Sequence, residues 1–287
     1  MVDLHTHSTA SDGSYSPEEL VRLAKESGLF ALALTDHDTV DGLPSAVKTA
    51  KEVGINFVCG VEISVKFEGK GHFHLLGYFK SPEVPELADV LKKLHEARAK
   101  RNEKMLEKLN ELGIDISMEE LKEIAKGEIG RPHIAKLLVK KGVVKSFEEA
   151  FDKYLKKGAP AYVPKALLSP EEAISLVLKA GGIPVLAHPI TLKLDYYSLK
   201  NYIKELKEMG LKGVEAYYTE HTEEFTQEVL KYAKEFDLIV TGGSDFHGEN
   251  KPDIKLGRGF GNLRVPDECY YNLVEALEST SHKKAAT

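Results

Sequence analysis

The sequence predicts an α/β fold built on a largely parallel sheet. Short apolar runs alternate with segments of helical periodicity at both ends of the chain, and repeated β-then-α units imply parallel strands. So many units suggest a barrel whose loops gather at the C-terminal rim of its strands. One stretch breaks the rule: "VEISVKFEGKGHFHLLGYF" joins two strands through a glycine-containing turn with no room for a crossover helix. A regular eight-fold barrel is therefore not expected.

In chain order, "MVDLHTH" reads as the first strand and "SPEELVRLAKESG" as a helix, with Leu20, Leu23 and Ala24 at helical spacing. Ser16 fits its N-cap, Pro17 its first residue and Gly28 its stop. A strand "LFALALTDHD", a helix around "LPSAVKTAKEVG" and a strand "INFVCGVEISV" follow. Residues 81–165 have another texture: "VLKKLHEARAKRNEKMLEKLNELG", "SMEELKEIAKG", "PHIAKLLVKKG" and "SFEEAFDKYLKKG" read as four helices, each closed by a glycine. The alternation returns after residue 180 with "GGIPVLAHP", "LKNYIKELKEMG", "LKGVEAYY", "EEFTQEVLKYAKEFD" and "LIVTGGSDFH". The expected organisation is a strand-bearing body at 1–80 and 166–287, interrupted by an all-helical insert at 81–165. The tail "SHKKAAT" is expected to fray.

At 287 residues, 42% hydrophobic and 29% charged, the chain has the composition of a folded cytoplasmic protein. No apolar run approaches a membrane span, and no secretory leader is read at the N-terminus. Cys59 and Cys269 form no CxxC pair, so neither a disulfide framework nor a thiolate zinc site is expected. The net charge of −6 argues against a protein that coats nucleic acid. Residues 80–165 nevertheless carry 19 basic against 15 acidic side chains, a candidate for holding an anion.

Residues i and i+2 of a strand share a face, so His5 and His7 point together, with Asp3 below them. The pattern recurs at His72 and His74 and at Asp245 and His247, while His37, Glu62 and His188 end other apolar runs. Asp12 follows in the first loop. A lone histidine at a strand end is usually structural, but six strand ends bearing imidazole or carboxylate form one rim. Such a set without thiolates suits Zn, Mn or Fe.

Taken in order, "DLHTHSTASDG", "LTDHDTVDG", "GVEIS", "HLLGY", "LAHP" and "GSDFHG" resemble the motifs of the polymerase-and-histidinol-phosphatase (PHP) family. The insert followed by "GRPHIA" and "AYVP" looks like the stand-alone PHP phosphoesterases. These remove the 3′-phosphate from nucleoside 3′,5′-bisphosphates, and some degrade short RNA from its 5′ end. The resemblance implies a distorted seven-stranded (β/α) barrel carrying three divalent ions, commonly Mn, with Fe or Zn also found. By motif, His5, His7, Glu62 and Asp245 would hold one ion. Glu62 would bridge to a second ion held by His74 and His188, and Asp12, His37 and His247 would hold the third. His74 is preferred to His72 because it begins "HLLGY"; His72 remains a substitute.

Three divalent ions outweigh the charge of Asp12, Glu62 and Asp245, so an anionic substrate is the natural counterweight. Attack by a metal-bridging hydroxide is the expected chemistry, with Glu62, Asp245 and His188 as the residues that carry it. Arg131 and His133 in "GRPH" are candidate substrate contacts at a helix start, or else an exposed arginine and a capping histidine. Asp36 either positions a histidine or touches substrate. His221 either reaches the rim or lies in a solvated loop. Lys165 and His95 read most simply as surface residues. The expected partner is a small phosphorylated nucleotide or short RNA, with no stable nucleic-acid complex, membrane or obligate protein partner. The alternatives are histidinol-phosphate phosphatase, against which the "GRPH" insert argues, and a non-catalytic metal-binding PHP scaffold, against which the full ligand set argues.

Overall fold

The computed structural model describes residues 1–124 and 129–284. The first helix, α1 (Pro17–Glu26), starts where the capping residues place it. The Ser16 hydroxyl accepts from the Glu19 amide, and the Glu19 carboxylate accepts from the Ser16 amide. It follows β1 (Val2–Asp3) and precedes β2 (Ala31–Leu34), α2 (Leu43–Val53), β3 (Asn56–Val65) and β4 (Phe73–Phe79). After a helical stretch come α7 (Pro170–Lys179), β5 (Ile183–Leu186), α8 (Tyr196–Glu208), β6 (Gly213–Tyr218), α9 (Glu223–Glu235), β7 (Ile239–Gly243) and α10 (Asp267–Lys284). The intervening helices are α3 (Pro85–Glu111), α4 (Met118–Ile124), α5 (Arg131–Lys140) and α6 (Phe147–Ala150), the last running into a wide turn at Phe151–Leu155.

The seven strands form one sheet in chain order. Pairing is parallel except at β3–β4 and β4–β5, which are antiparallel. The first exception follows from the short turn in the sequence. The second was not expected, and it follows from the first, because β4 alone runs backwards between parallel neighbours. Beyond β1 the ends of the sheet approach each other. The amides of Leu4, His7 and Asp245 bond to the carbonyls of Gly242, Phe246 and His5 at 3.1, 2.9 and 2.9 Å, so the sheet is a nearly closed seven-stranded barrel. A Cβ at Gly243 would lie 2.4 Å from the His5 Cβ, so the closure there needs a glycine.

The period of two fills this barrel. Val58, Ala31, Ala33, Leu76, Tyr78, Ile183 and Val185 form one buried cluster with Cys269, Leu273 and Leu277 of α10. On the same strand faces Glu62 lies four residues after Val58 and His74 two residues before Leu76. One end of the interior is therefore apolar and the other polar.

Three expectations need correction. The first strand ends at Asp3, and His5 and His7 lie beyond it, where the chain leaves the ladder to meet Phe246. The helix α10 was not read from the sequence. The tail expected to fray continues that helix to Lys284, and residues 285–287 lie outside the described residues. The glycine stops at Gly113, Gly142 and Gly158 have left-handed backbone, as expected, while Gly127 falls outside the described residues.

The chain divides into two compact units, Met1–Val90 with Leu167–Thr287, and Leu91–Ala166. The second has its own core of Met105, Leu109, Leu121, Ile134, Leu138 and Leu155. Among the described residues, no helix is long and apolar enough to cross a membrane.

Candidate metal centre

The polar end of the barrel is assembled from loops as much as from strands. Past β1 the chain turns sharply, with the Ser11 and Gly13 amides bonding to the Ser8 carbonyl at 3.1 and 2.8 Å. Asp36, 3% exposed, holds this turn: its carboxylate accepts from the Ser8 amide, the Ser8 hydroxyl and the Ser11 hydroxyl at 2.7, 2.7 and 2.6 Å. Asp12 is thereby brought beside His247 and His37, at 3.2 and 3.9 Å. His74 lies at the start of β4, not at a strand end. Because β4 is antiparallel, its start lies at the same rim as the ends of its neighbours.

Glu62, fully buried on β3, is the hub. Its Oε2 lies 3.2 Å from His5 Nε2, 3.2 Å from His7 Nε2 and 3.1 Å from His37 Nδ1. Its Oε1 lies 2.7 Å from His188 Nε2 and 2.8 Å from His74 Nδ1. Asp245 adds an oxygen 3.1 Å from His7 Nε2. Among the described residues, three groups offer ligand atoms close enough to share an ion: His7, Asp12, His37 and His247; His5, His7, Glu62 and Asp245; His37, Glu62 and His74.

The electrostatics follow from burying so many ionisable groups together. Burial favours a neutral Glu62, but His37, His5 and His74 outweigh it and hold the carboxyl well below its usual range. Burial likewise opposes charge on His7, yet Asp245 and Glu62 lift it to about 9. Burial pushes His37 down to about 3 despite Glu62. The carboxylates thus stay ionised and need a concentrated positive charge among them.

The donor set fits divalent ions. His5 Nε2, both ring nitrogens of His7 and Glu62 Oε2 are buried without a hydrogen-bond partner, and buried polar atoms are seldom left so. These same atoms belong to the ligand groups. The partner of the other ring nitrogen fixes several tautomers. His5 Nδ1 faces Glu215 at 3.0 Å and His247 Nδ1 donates to the Asp245 carbonyl at 2.8 Å, leaving each Nε2 free to coordinate.

Other expected residues are placed differently. His72 is exposed, and its amide bonds to Thr191. Asp36 holds the Ser8 turn and not a histidine, with two hydrogen bonds to Oδ1 and one to Oδ2. His221 is outside the three groups: it packs on Tyr218 and Phe225, its Nδ1 donates to the Ala216 carbonyl at 2.8 Å, and burial pushes it down to about 4. It is thus packed against its neighbours and is not a residue of a solvated loop. In the second unit His133 Nδ1 accepts from the Gly130 amide at 3.2 Å, which is the capping role. Arg131 is partly buried over the rings of Phe151 and Tyr162. Beside it Arg101 is 7% exposed and pushed down to about 10 by burial and the Arg131 charge.

Sequence reasoning missed Glu215, Tyr218 and Lys251. The last two reach Asp245 Oδ2 at 3.2 and 2.8 Å. A signal for Glu215 existed: a lone carboxylate inside the apolar strand "GVEAYY" is rarely buried without a partner.

The PHP domain model matches residues 3–162. The chain belongs to the PHP family. The chain is 39% identical over 245 residues to a 5′-3′ exoribonuclease of Haemophilus influenzae, covering 85% of this chain and 89% of the relative. It is 34% identical over 257 residues to a 3′,5′-nucleoside bisphosphate phosphatase of Chromobacterium violaceum, covering 88% and 90%. A solved structure described as a metal-dependent phosphoesterase of Bifidobacterium adolescentis superposes with a TM-score of 0.76 at 30% identity, covering 96% of each chain. The likeness to stand-alone PHP phosphoesterases, first seen in the motifs, holds along nearly the whole chain.

Proposed function

We propose that this PHP protein is a metal-dependent phosphoesterase that removes the 3′-phosphate of nucleoside 3′,5′-bisphosphates and trims short RNA from its 5′ end. The observation that carries the reading is the convergence of unpartnered buried atoms of His5, His7 and Glu62 in a nest of ionised carboxylates. The names borne by the two relatives supply the substrate class. We assign three divalent ions, manganese by preference, to His5, His7, Asp12, His37, Glu62, His74, His188, Asp245 and His247. Ions bound there would polarise phosphoryl oxygens and lower the proton affinity of water.

The chain's own part is to hold charge in place. Glu62 offers an oxygen to each of two ligand groups, and Asp245 completes one of them. His188 and His74 converge on the same Glu62 oxygen. The histidines neutralise no cationic charge when neutral, so the pocket keeps a positive excess that suits a phosphate ester. Arg131, with Arg101 beside it, is proposed to bind a second phosphate through its guanidinium. His133 is proposed to orient Arg131's helix start, Asp36 to fix the Asp12 turn, and His221 to pack behind His188. We read residues 81–165 as a helical insert between barrel segments 1–80 and 166–287, and the cytoplasm as the site of action.

The test is phosphate release from adenosine 3′,5′-bisphosphate and from histidinol phosphate by protein of known metal content. The bisphosphate should be the faster substrate by orders of magnitude. Faster release from histidinol phosphate overturns the substrate assignment. Stoichiometric metal with no turnover on any phosphoester would make the protein a scaffold.

A further inference from the structure

We propose that Glu215 is a positioning residue that sets both His5 and His188 for a divalent ion, one carboxylate serving two ligands from the segments that follow different strands. The inference rests on the metal reading above. Glu215 is fully buried on β6, where a register shift between Glu215 and Tyr217 bulges the strand. Bulges of this kind re-aim side chains beside sites. Its two oxygens lie 3.0 and 3.2 Å from His5 Nδ1, and Oε2 also accepts the His188 amide at 2.7 Å. Neither partner is a lysine or arginine, so the positive charge that this buried acid needs must reach it through His5. A divalent ion on the far nitrogen of His5 would supply that charge through one imidazole ring.

Each contact does a separate job. A carboxylate only accepts, so His5 must carry its proton on Nδ1 and turn a bare Nε2 toward Glu62 and Asp245. His188 has backbone angles of φ 22° and ψ 66°, which non-glycine residues rarely adopt, and its amide bond to Glu215 holds that conformation. Thr191 completes the arrangement. Its hydroxyl lies 3.0 Å from the His72 and His188 carbonyls, so it gives them its proton and accepts from His188 Nδ1 at 2.9 Å. The His188 Nε2 is then left facing Glu62 Oε1 at 2.7 Å. Both histidines are thus presented in the tautomer that an ion needs.

The experiment compares full-length wild type with Glu215→Gln, each stripped of metal and titrated with Mn²⁺ or with diamagnetic Zn²⁺. Glutamine removes the negative charge and one of the two acceptor oxygens, so the shorter 3.0 Å contact with His5 and the His188 amide bond cannot both be kept as they stand. The Mn²⁺ dissociation constant of the weakened ion should rise roughly 10- to 100-fold, the usual cost of losing such an outer partner. In nitrogen-edited spectra of the Zn²⁺-loaded wild type, His5 should be protonated on Nδ1, and that signal should be lost in the variant. Saturating Mn²⁺ should restore much of the variant's kcat. Wild-type affinity in Glu215→Gln, or a wild-type His5 protonated on Nε2 in the loaded protein, overturns the inference and leaves the metal reading standing. A wild type that binds no divalent ion overturns the metal reading and this inference with it. Should the variant fail to fold, the wild-type Zn²⁺ spectrum alone decides the point.

Discussion

In the unit Leu91–Ala166, buried polar groups serve the backbone. Arg101 donates to the Val163 carbonyl, Lys108 to that of Tyr162 and the Asn102 amide to that of Ile129, at 2.7, 3.0 and 2.8 Å. In the barrel unit buried groups such as Thr6, Asp36 and Tyr78 also bond to backbone, but four atoms of His5, His7 and Glu62 converge there with no hydrogen-bond partner. Both units have good apolar cores, so burial alone does not separate them. What separates them is clustering: the helical unit leaves the single atom Asn102 Oδ1 unpartnered among the described residues, whereas in the barrel unit four such atoms of His5, His7 and Glu62 lie together.

The largest test of this contrast is Glu62→Gln. It removes the charge of the hub that faces five imidazoles, and phosphate release from adenosine 3′,5′-bisphosphate should fall roughly 10²- to 10³-fold, the scale of losing one preorganised electrostatic group. Far-ultraviolet circular dichroism should be unchanged, since the apolar end of the barrel is untouched. Activity within tenfold of wild type would remove Glu62 from the centre.

Leu138→Ala makes the opposite cut. Leu138 is fully buried in the helical core, and its truncation should cost about 2–5 kcal/mol in urea unfolding. Manganese content measured by elemental analysis should stay at the wild-type level. Loss of bound metal in this variant would break the division between the two units.

His221 sharpens the comparison from within the barrel, because it is buried there yet outside the ligand groups. Burial holds its folded pKa down to about 4, whereas the unfolded chain protonates it near about 6.5. The unfolded state therefore binds the extra proton in this window. The stability that neutral His221 contributes is complete above about 6.5 and is lost as pH falls towards 4, by on the order of 3 kcal/mol. Urea unfolding at several pH values should show this loss in wild type and a shallower slope in His221→Asn. Identical slopes would mean that His221 does not titrate in this way.

The smallest expected effect is that of Arg131→Ala. Loss of one charge-assisted contact, about 1.5–3 kcal/mol, should lower kcat/KM on the bisphosphate roughly 10- to 150-fold. Hydrolysis of p-nitrophenyl phosphate should be spared. Equal losses on both substrates would remove Arg131 from recognition.

Much of the fold was legible because it is locally encoded. Ser16, Pro17 and Glu19 set the start of α1 through bonds spanning three residues. Glycine-ended helices and alternating apolar runs likewise need no knowledge of distant chain. The short turn between β3 and β4 ruled out a regular barrel for the same reason. In α10, Leu273 and Leu277 stand one helical turn apart and join the buried cluster of the strands, a destination that local spacing does not specify. The first strand was overextended because strand propensity cannot register where the ladder ends.

The sequence by itself determined which residue types are available at the strand ends, and hence that imidazoles and carboxylates rather than thiols would meet. Only the tertiary structure decided their pairing: that Glu62 is the hub, that His74 reaches the rim from an antiparallel strand, that His72 is exposed and that Asp36 accepts from Ser8 and Ser11. It also brought Glu215 from β6 to His5, 210 positions earlier in the chain. The physical reason is range. Capping and periodicity act over a few residues, whereas a ring nitrogen gains its partner only when a closed barrel carries remote strands within about 3 Å.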